Sequence, residues 1–144
     1  MPPLMSHTCT SLIIHCIDFR LGKPIKKFLE LEHYLGDCDI VSVAGAAKNI
    51  SAPASPAEAE FVLKQVDISN RLHHIETVML MNHTDCGAYG GRAAFASADA
   101  ERGAHIADMR NAKEIILSRY PNLTVKLTLA NINDSGEVKI ETIE

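Results

Sequence analysis

The sequence predicts an α/β fold: a mostly parallel four-stranded sheet flanked by helices, with a fifth, antiparallel strand at one edge. Three observations predict it. Short apolar, β-branched runs alternate with segments of helical periodicity, which implies parallel pairing through right-handed crossovers. Turn formers and helix starters such as Ala44-Gly45 and Ser55-Pro56 punctuate the alternation. Only the last two runs stand close enough to be joined as a hairpin.

Each element has its own warrant. Ser11 to Asp18 contains Leu12-Ile13-Ile14 and reads as a buried strand. Pro24 suits the first turn of a helix from about Lys23 to Tyr34, with Ile25, Phe28 and Leu29 inward. Ile40 to Val43 is a second strand, ended by Ala44-Gly45. Ser55, Pro56 and Glu58 have the order of an N-cap, a first-turn proline and the far side of a capping box. The helix they open carries Phe61, Val62, Val66 and Ile68 inward and stops near His73 and His74. Thr77 to Met81 is a third strand, with Met79 and Met81 as core filling. Ile106, Met109, Ile116 and Tyr120 trace a long helix that Pro121 ends. Leu123 to Ile132 and Glu137 to Ile143 are strands joined by Asn133-Asp134-Ser135-Gly136.

Bulk properties narrow the function. With 144 residues, 47% apolar, the chain is expected to be a single domain over 1–144 with a real core. A formal charge of −4 excludes a nucleic-acid partner, since phosphate binding needs a basic face. No apolar run approaches the roughly 18 residues of a membrane span. Met1-Pro2-Pro3-Leu4-Met5 lacks the basic and apolar regions of a signal peptide, so a cytoplasmic address is expected. Reduced cysteines follow from that address. Four cysteines then read as core residues, metal ligands or catalytic groups, not as a disulfide framework.

In parallel sheets the ligand site lies at the carboxyl ends of the strands, where strand order reverses. Two polar clusters sit at such exits. Cys16-Ile17-Asp18-Phe19-Arg20 follows the first strand, and alternation in an extended segment sends Cys16, Asp18 and Arg20 to one side. His83-Thr84-Asp85-Cys86-Gly87 follows the third, where a tight turn aims His83 and Cys86 at one point. If these strands are neighbours, Cys16, His83 and Cys86 converge. Two thiolates and an imidazole suit one Zn2+ per chain, at about 2.3 Å for sulfur and 2.0–2.1 Å for nitrogen. Three protein ligands with a free fourth position is the pattern of a catalytic site. Cys86 also stands before an expected helix start, whose dipole favours thiolate. Arg20 is expected to pair with Asp18 and keep it ionised, and Asp18 either accepts a hydrogen bond from a zinc-bound water or swings in as the fourth ligand. Any one of these residues alone has an ordinary explanation: a lone strand-end cysteine is usually a small buried hydrophobe. Their coincidence at two adjacent exits singles them out. Cys9 and Cys38 have no such company and read as structural thiols, and His7, His33 and His105 as surface or satisfied core groups.

At these residues the chain resembles the β-carbonic anhydrases, which show Cys-x-Asp-x-Arg and, much later, His-x-x-Cys, usually followed by Gly. Leu35-Gly36-Asp37, Val43-Ala44-Gly45 and the closing Asn133–Gly136 turn extend the likeness from about Leu12 to the end. The resemblance implies a zinc lyase in which zinc-bound hydroxide hydrates CO2 to bicarbonate, with Asp18 and Arg20 as a catalytic dyad gating the fourth metal position. It also implies a homodimer or higher oligomer whose interface lines the pocket. Two other readings stay open. One is a hydrolase of carbonyl sulfide or carbon disulfide on the same fold, and the other a non-catalytic zinc-binding or anion-sensing domain.

Overall fold

The structure, a computed structural model, describes residues 7–144; the leader reading at Met1–Met5 lies outside them. Five strands form one sheet in the order β2-β1-β3-β4-β5. These are β1 (Ser11–His15), β2 (Cys38–Ser42), β3 (Thr77–His83), β4 (Thr124–Ile132) and β5 (Val138–Thr142). The first four run parallel, and β4 pairs with β5 antiparallel. The chain leaves β1 for β2 on one side and reaches β3 on the other, so strand order reverses between β1 and β3. In register, Ser11 lies beside both Cys38 and Thr77, and His15 beside Ser42 and Met81.

Side-chain alternation divides the core in two. Leu12, Ile14, Val78, Leu80, Val125, Leu127 and Leu129 face helices α2 (Lys48–Ser51), α3 (Pro56–His73) and α4 (Ala98–Arg119). Ile13, Met79, Met81, Ala130 and Ile132 face α1 (Gly22–Leu31), which contributes Ile25 and Leu29. Cys16 and Cys86 belong to this second cluster. Among the described residues no helix is long and apolar enough to cross a membrane.

Several boundaries differ from expectation for local reasons. The extended segment expected through Asp18 stops at His15, and Phe19–Leu21 form a 3-10 turn capped by Asp18. Helix α1 ends at Leu31 instead of Tyr34 because His33 takes a left-handed φ of 61° while the Tyr34 N–H closes on Leu29 O. At α3 the Ser55 side chain makes no cap bond; Glu58 instead accepts from Ala54 N–H at 2.8 Å. Phe61, expected inward, is exposed, and Leu63 takes its place beside Val62 and Val66. Strand β3 runs two residues further than expected, to His83. Past Cys86 there is only a three-residue 3-10 turn, Gly87–Tyr89, too short for the helix dipole expected there. In the last hairpin Asn133 Oδ1 accepts from the Ser135 and Glu137 amides, and Gly136 supplies the left-handed φ of 84°.

Candidate metal centre

The reversal between β1 and β3 gathers the two polar segments at one end of the sheet. Cys16 directly follows β1, His83 is the last residue of β3, and Cys86 lies one tight turn beyond. One donor atom from each lies within 4.8 Å of the others, and all three side chains are buried. The two sulfurs are 4.0 Å apart and not bonded to each other.

The imidazole of His83 is held in a particular tautomer. Its Nδ1 lies 2.7 Å from Thr84 O, which can only accept, so Nδ1 carries the proton and Nε2 presents a lone pair. That Nε2 is buried without a hydrogen-bond partner. An orphaned buried acceptor costs about 1–3 kcal/mol, and here it faces two sulfurs. Tetrahedral zinc with about 2.3 Å bonds sets two sulfurs about 3.8 Å apart, close to the separation found. The residues present therefore fit a zinc ion by donor type, spacing and the open valence on His83.

Charge in the cluster is shared unequally. The Cys86 thiol donates to Cys16 Sγ and, with lesser help from Gly45 N–H, holds the Cys16 thiol down to about 3. Cys86 is pushed up in turn by the hydrogen bond it gives to Cys16, by burial and by the charge on Cys16. Burial alone would lower the proton affinity of His83, but the Cys16 thiolate outweighs it and the net shift is upward.

Asp18 and Arg20 meet as expected, though not through strand alternation. The 3-10 turn brings them together: Asp18 Oδ1 accepts from Arg20 N–H at 2.9 Å, and the guanidinium grips both carboxylate oxygens, Nε at 3.0 Å and Nη2 at 2.7 Å. Turned outward by the same geometry, Ile17 and Phe19 are 62% and 91% exposed. Asp18 Oδ2 stands 3.9 Å from His83 Nε2. The hydrogen bonds from Arg20 hold the Asp18 carboxyl down to about 2, from an ordinary 3.8. A carboxyl depressed in the folded state adds stability above its unfolded pKa and loses it as pH falls toward the folded value. Stability of the wild-type chain is therefore expected to drop between about pH 4 and pH 2, and Asp18→Asn should flatten that part of a pH series of urea melts. An unchanged slope in the variant would remove the pair from the account.

Three partners of this site had not been anticipated. Asp85 takes Arg20 from the far side, with Nη1 donating to its carboxylate and Nη2 to its carbonyl, both at 3.0 Å. It can do so because Asp85 sits in the left-handed region, φ 55°, which Asp tolerates better than most residues. Its amide donates to the buried Glu101 of α4 at 2.8 Å. Asn82 Oδ1 accepts from Ala47 N–H at 3.1 Å, anchoring the turn whose Gly45 N–H donates to Cys16. The only available signal for Asp85 was its place between His83 and Cys86; Glu101 and Asn82 act across 16 and 35 residues of sequence. His105 is fully buried beside Asn82, with Nδ1 satisfied at 3.1 Å and Nε2 unpartnered. A cavity of about 490 Å³ opens nearby, lined by Thr84, Arg92, Glu101 and Ile132, and none of Cys16, Asp18, Arg20, His83 or Cys86 lines it.

Comparison with known proteins agrees on the fold. The chain is similar to the crystal structure of carbonic anhydrase from Streptococcus mutans, with a TM-score of 0.54 and 16% identity over 98% of this chain and 87% of that one. It is similar to the β-carbonic anhydrase CcaA, at a TM-score of 0.57 and 16% identity, covering 94% and 81%. Two tetrameric β-carbonic anhydrases from the filamentous ascomycete Sordaria macrospora give 0.53 and 16%, covering 92% and 80%. Among curated proteins, an uncharacterized protein of Rickettsia conorii is 27% identical over 127 residues, 86% of this chain and 68% of its own length. A family model described as "Putative carbonic anhydrase" matches residues 6–142. The chain belongs to that family, as a divergent member with the β-carbonic anhydrase fold.

Proposed function

We propose that the chain is a β-class-like carbonic anhydrase, holding one zinc ion through Cys16 Sγ, His83 Nε2 and Cys86 Sγ and interconverting CO2 and bicarbonate. The observation that carries this reading is the buried, unpartnered Nε2 of His83 facing two cysteine sulfurs. Bound there, zinc would supply the Lewis acidity that makes water a nucleophile near neutral pH.

The chain's own residues do the rest. Asp18, kept ionised by Arg20, is an acceptor only. Its Oδ2 lies 3.9 Å from His83 Nε2, beside the position a fourth donor would take, where it would accept a hydrogen bond from water and leave a lone pair of that oxygen turned toward CO2. Arg20 is clamped between Asp18 and Asp85, and this bidentate, charge-assisted pair resists movement of Asp18 into the place of a fourth donor. That resistance favours the open arrangement. The exposed Ile17 and Phe19 flank Asp18, which supports a homodimer or higher oligomer in which a second copy covers this edge of the site.

Stopped-flow CO2 hydration near pH 7 and pH 8.5, on protein of measured zinc content, tests the proposal. Zinc-loaded wild type is expected to hydrate CO2, and Asp18→Ala to keep its zinc while losing activity by about 100-fold, the scale of a lost positioned proton acceptor. Zinc-replete wild type without turnover at either pH would leave a binding module in place of an enzyme. Full activity in Asp18→Ala would remove the dyad from the mechanism.

A further inference from the structure

A second set of ligand-type side chains lies at the opposite end of β1, beyond the reach of the first. Cys9 leads into β1, Asp39 is the second residue of β2, and His73 ends α3. One donor atom from each lies within 4.8 Å of the others. The three segments are also tied through the backbone: Cys9 N–H donates to His73 O at 3.1 Å, and Thr10 N–H donates to Asp37 O at 3.3 Å.

An Asp–His contact is ordinarily a plain ion pair, and a lone cysteine is ordinarily a small hydrophobe. This cluster has more than either. His73 Nδ1 is 2.6 Å from Asp39 Oδ2, and its other nitrogen, Nε2, is 3.0 Å from His7 Nε2. Ser69, itself buried, donates its hydroxyl to Asp39 Oδ2 at 2.6 Å. Two of the three donor groups thus have a hydrogen-bonded partner outside the donor set, as metal-binding imidazoles and carboxylates do. A cavity of about 180 Å³ adjoins the group and is lined by His7, Cys9, Asp39 and His73, which leaves room for water as a further ligand.

We propose that Cys9, Asp39 and His73 form a second cation site, taking a borderline divalent ion of the zinc or cobalt type. Thiolate, imidazole and carboxylate together select such an ion over magnesium or calcium, which take oxygen ligands. The ion takes the place of the proton shared by His73 Nδ1 and Asp39. Tetrahedral zinc needs about 3.3 Å between nitrogen and oxygen, so Asp39 must back away from its present 2.6 Å. Asp39 is about a third exposed and has the freedom to do so. Ser69 then sets where its carboxylate stops, and His7 keeps the His73 ring in plane. The proposal does not rest on the reaction proposed above.

Zinc per chain, measured after equilibration with zinc and removal of the unbound metal, tests it. Wild type is expected to hold two equivalents, Cys9→Ser one, and the Cys16→Ser/Cys86→Ser double variant one. Ser69→Ala should loosen the second equivalent by about 10-fold with the fold intact. A single wild-type equivalent that survives Cys9→Ser and disappears with Cys16→Ser/Cys86→Ser would overturn the second site alone. The opposite pattern would overturn the proposed catalytic centre and uphold this one. Should a variant fail to fold, cobalt titration of the wild-type chain still decides. A second phase carrying the charge-transfer absorbance of one thiolate, after a first phase carrying that of two, supports the site, and its absence overturns it.

Discussion

Cys86→Ser is expected to leave the chain folded, unable to retain zinc at the Cys16–His83 site, and inactive. Serine is nearly the size of cysteine, and Cys86 is 2% exposed within the cluster that α1 covers, so the substitution opens almost no cavity. What changes is the donor. A thiol gives up its proton to a metal readily, whereas an alcohol at this position stays protonated and is a poor partner for zinc. Ligand loss should therefore remove the metal outright instead of weakening it by degrees. The consequence reaches stability as well as turnover. A ligand present at about 1,000 times its dissociation constant adds about 4 kcal/mol to the folded state, so zinc should raise the melting temperature of wild type by more than that of Cys86→Ser. Retention of a full equivalent at the first site by Cys86→Ser, with hydration preserved, would sink the proposed ligand set.

Gly45→Ala should cost about 2–3 kcal/mol of stability through two separable causes. Gly45 has φ +81°, a conformation any L-residue adopts under strain. A Cβ built there would also lie 2.9 Å from Ala88 Cβ, a carbon fixed to backbone with no flexible end to yield. Gly36 separates the causes: it has the same φ of +81°, but nothing lies within 4 Å of its Cβ position. Gly36→Ala is expected to lose only the strain, about 1 kcal/mol, and Gly45→Ala the strain and the clash together. The clash has a functional side. The Gly45 amide donates to Cys16 Sγ, and Ala88 stands two residues past Cys86. Displacing that contact should weaken zinc binding by 10- to 100-fold, the range for lost outer contacts to metal ligands. Urea melts of both variants, with a chelator competition on Gly45→Ala, check these figures. Equal losses at Gly36 and Gly45 would show that the contact yields without cost.

How much of this could be read from the sequence follows from the range of the interactions. Strand identity was legible because Leu12-Ile13-Ile14 and Val78–Met81 are apolar on both faces of a sheet covered on both sides. The gathering of Cys16, His83 and Cys86 was legible because strand exits and crossover handedness are properties of the pattern as a whole. The inward face of α3 was less so. Phe61 and Leu63 lie on either side of Val62, and only the final seating of the helix buries Leu63 and exposes Phe61. The four-residue α2 is too short to leave a periodic trace. Asp85 and Glu101 were out of reach for another reason. Their roles depend on a left-handed backbone at Asp85 and on an amide-to-carboxylate bond between separate elements, and neither has a spacing signature. Cys9 and Cys38 were read alike, yet Cys9 meets Asp39 and His73, while Cys38 packs among the neighbours of α1 and lines the adjoining cavity without joining the donor set.

Strand β1 connects the two donor clusters, and this bears on where the chain can change length. Its five residues and Thr10 separate Cys9 from Cys16, with Leu12 and Ile14 committed to one core cluster and Ile13 to the other. Inserting a single residue here would exchange the faces of everything on one side of it, so at least one cysteine would turn away from its companions. Inserting two would restore the faces but push the clusters about 7 Å further apart, out of register with His83 and His73. The Asn133–Gly136 turn of the last hairpin supplies no donor to either cluster, and its tie to the rest of the chain is the exposed ion pair of Asp134 with Arg92. Natural and engineered length variation is therefore expected to collect at that hairpin and to be excluded from β1.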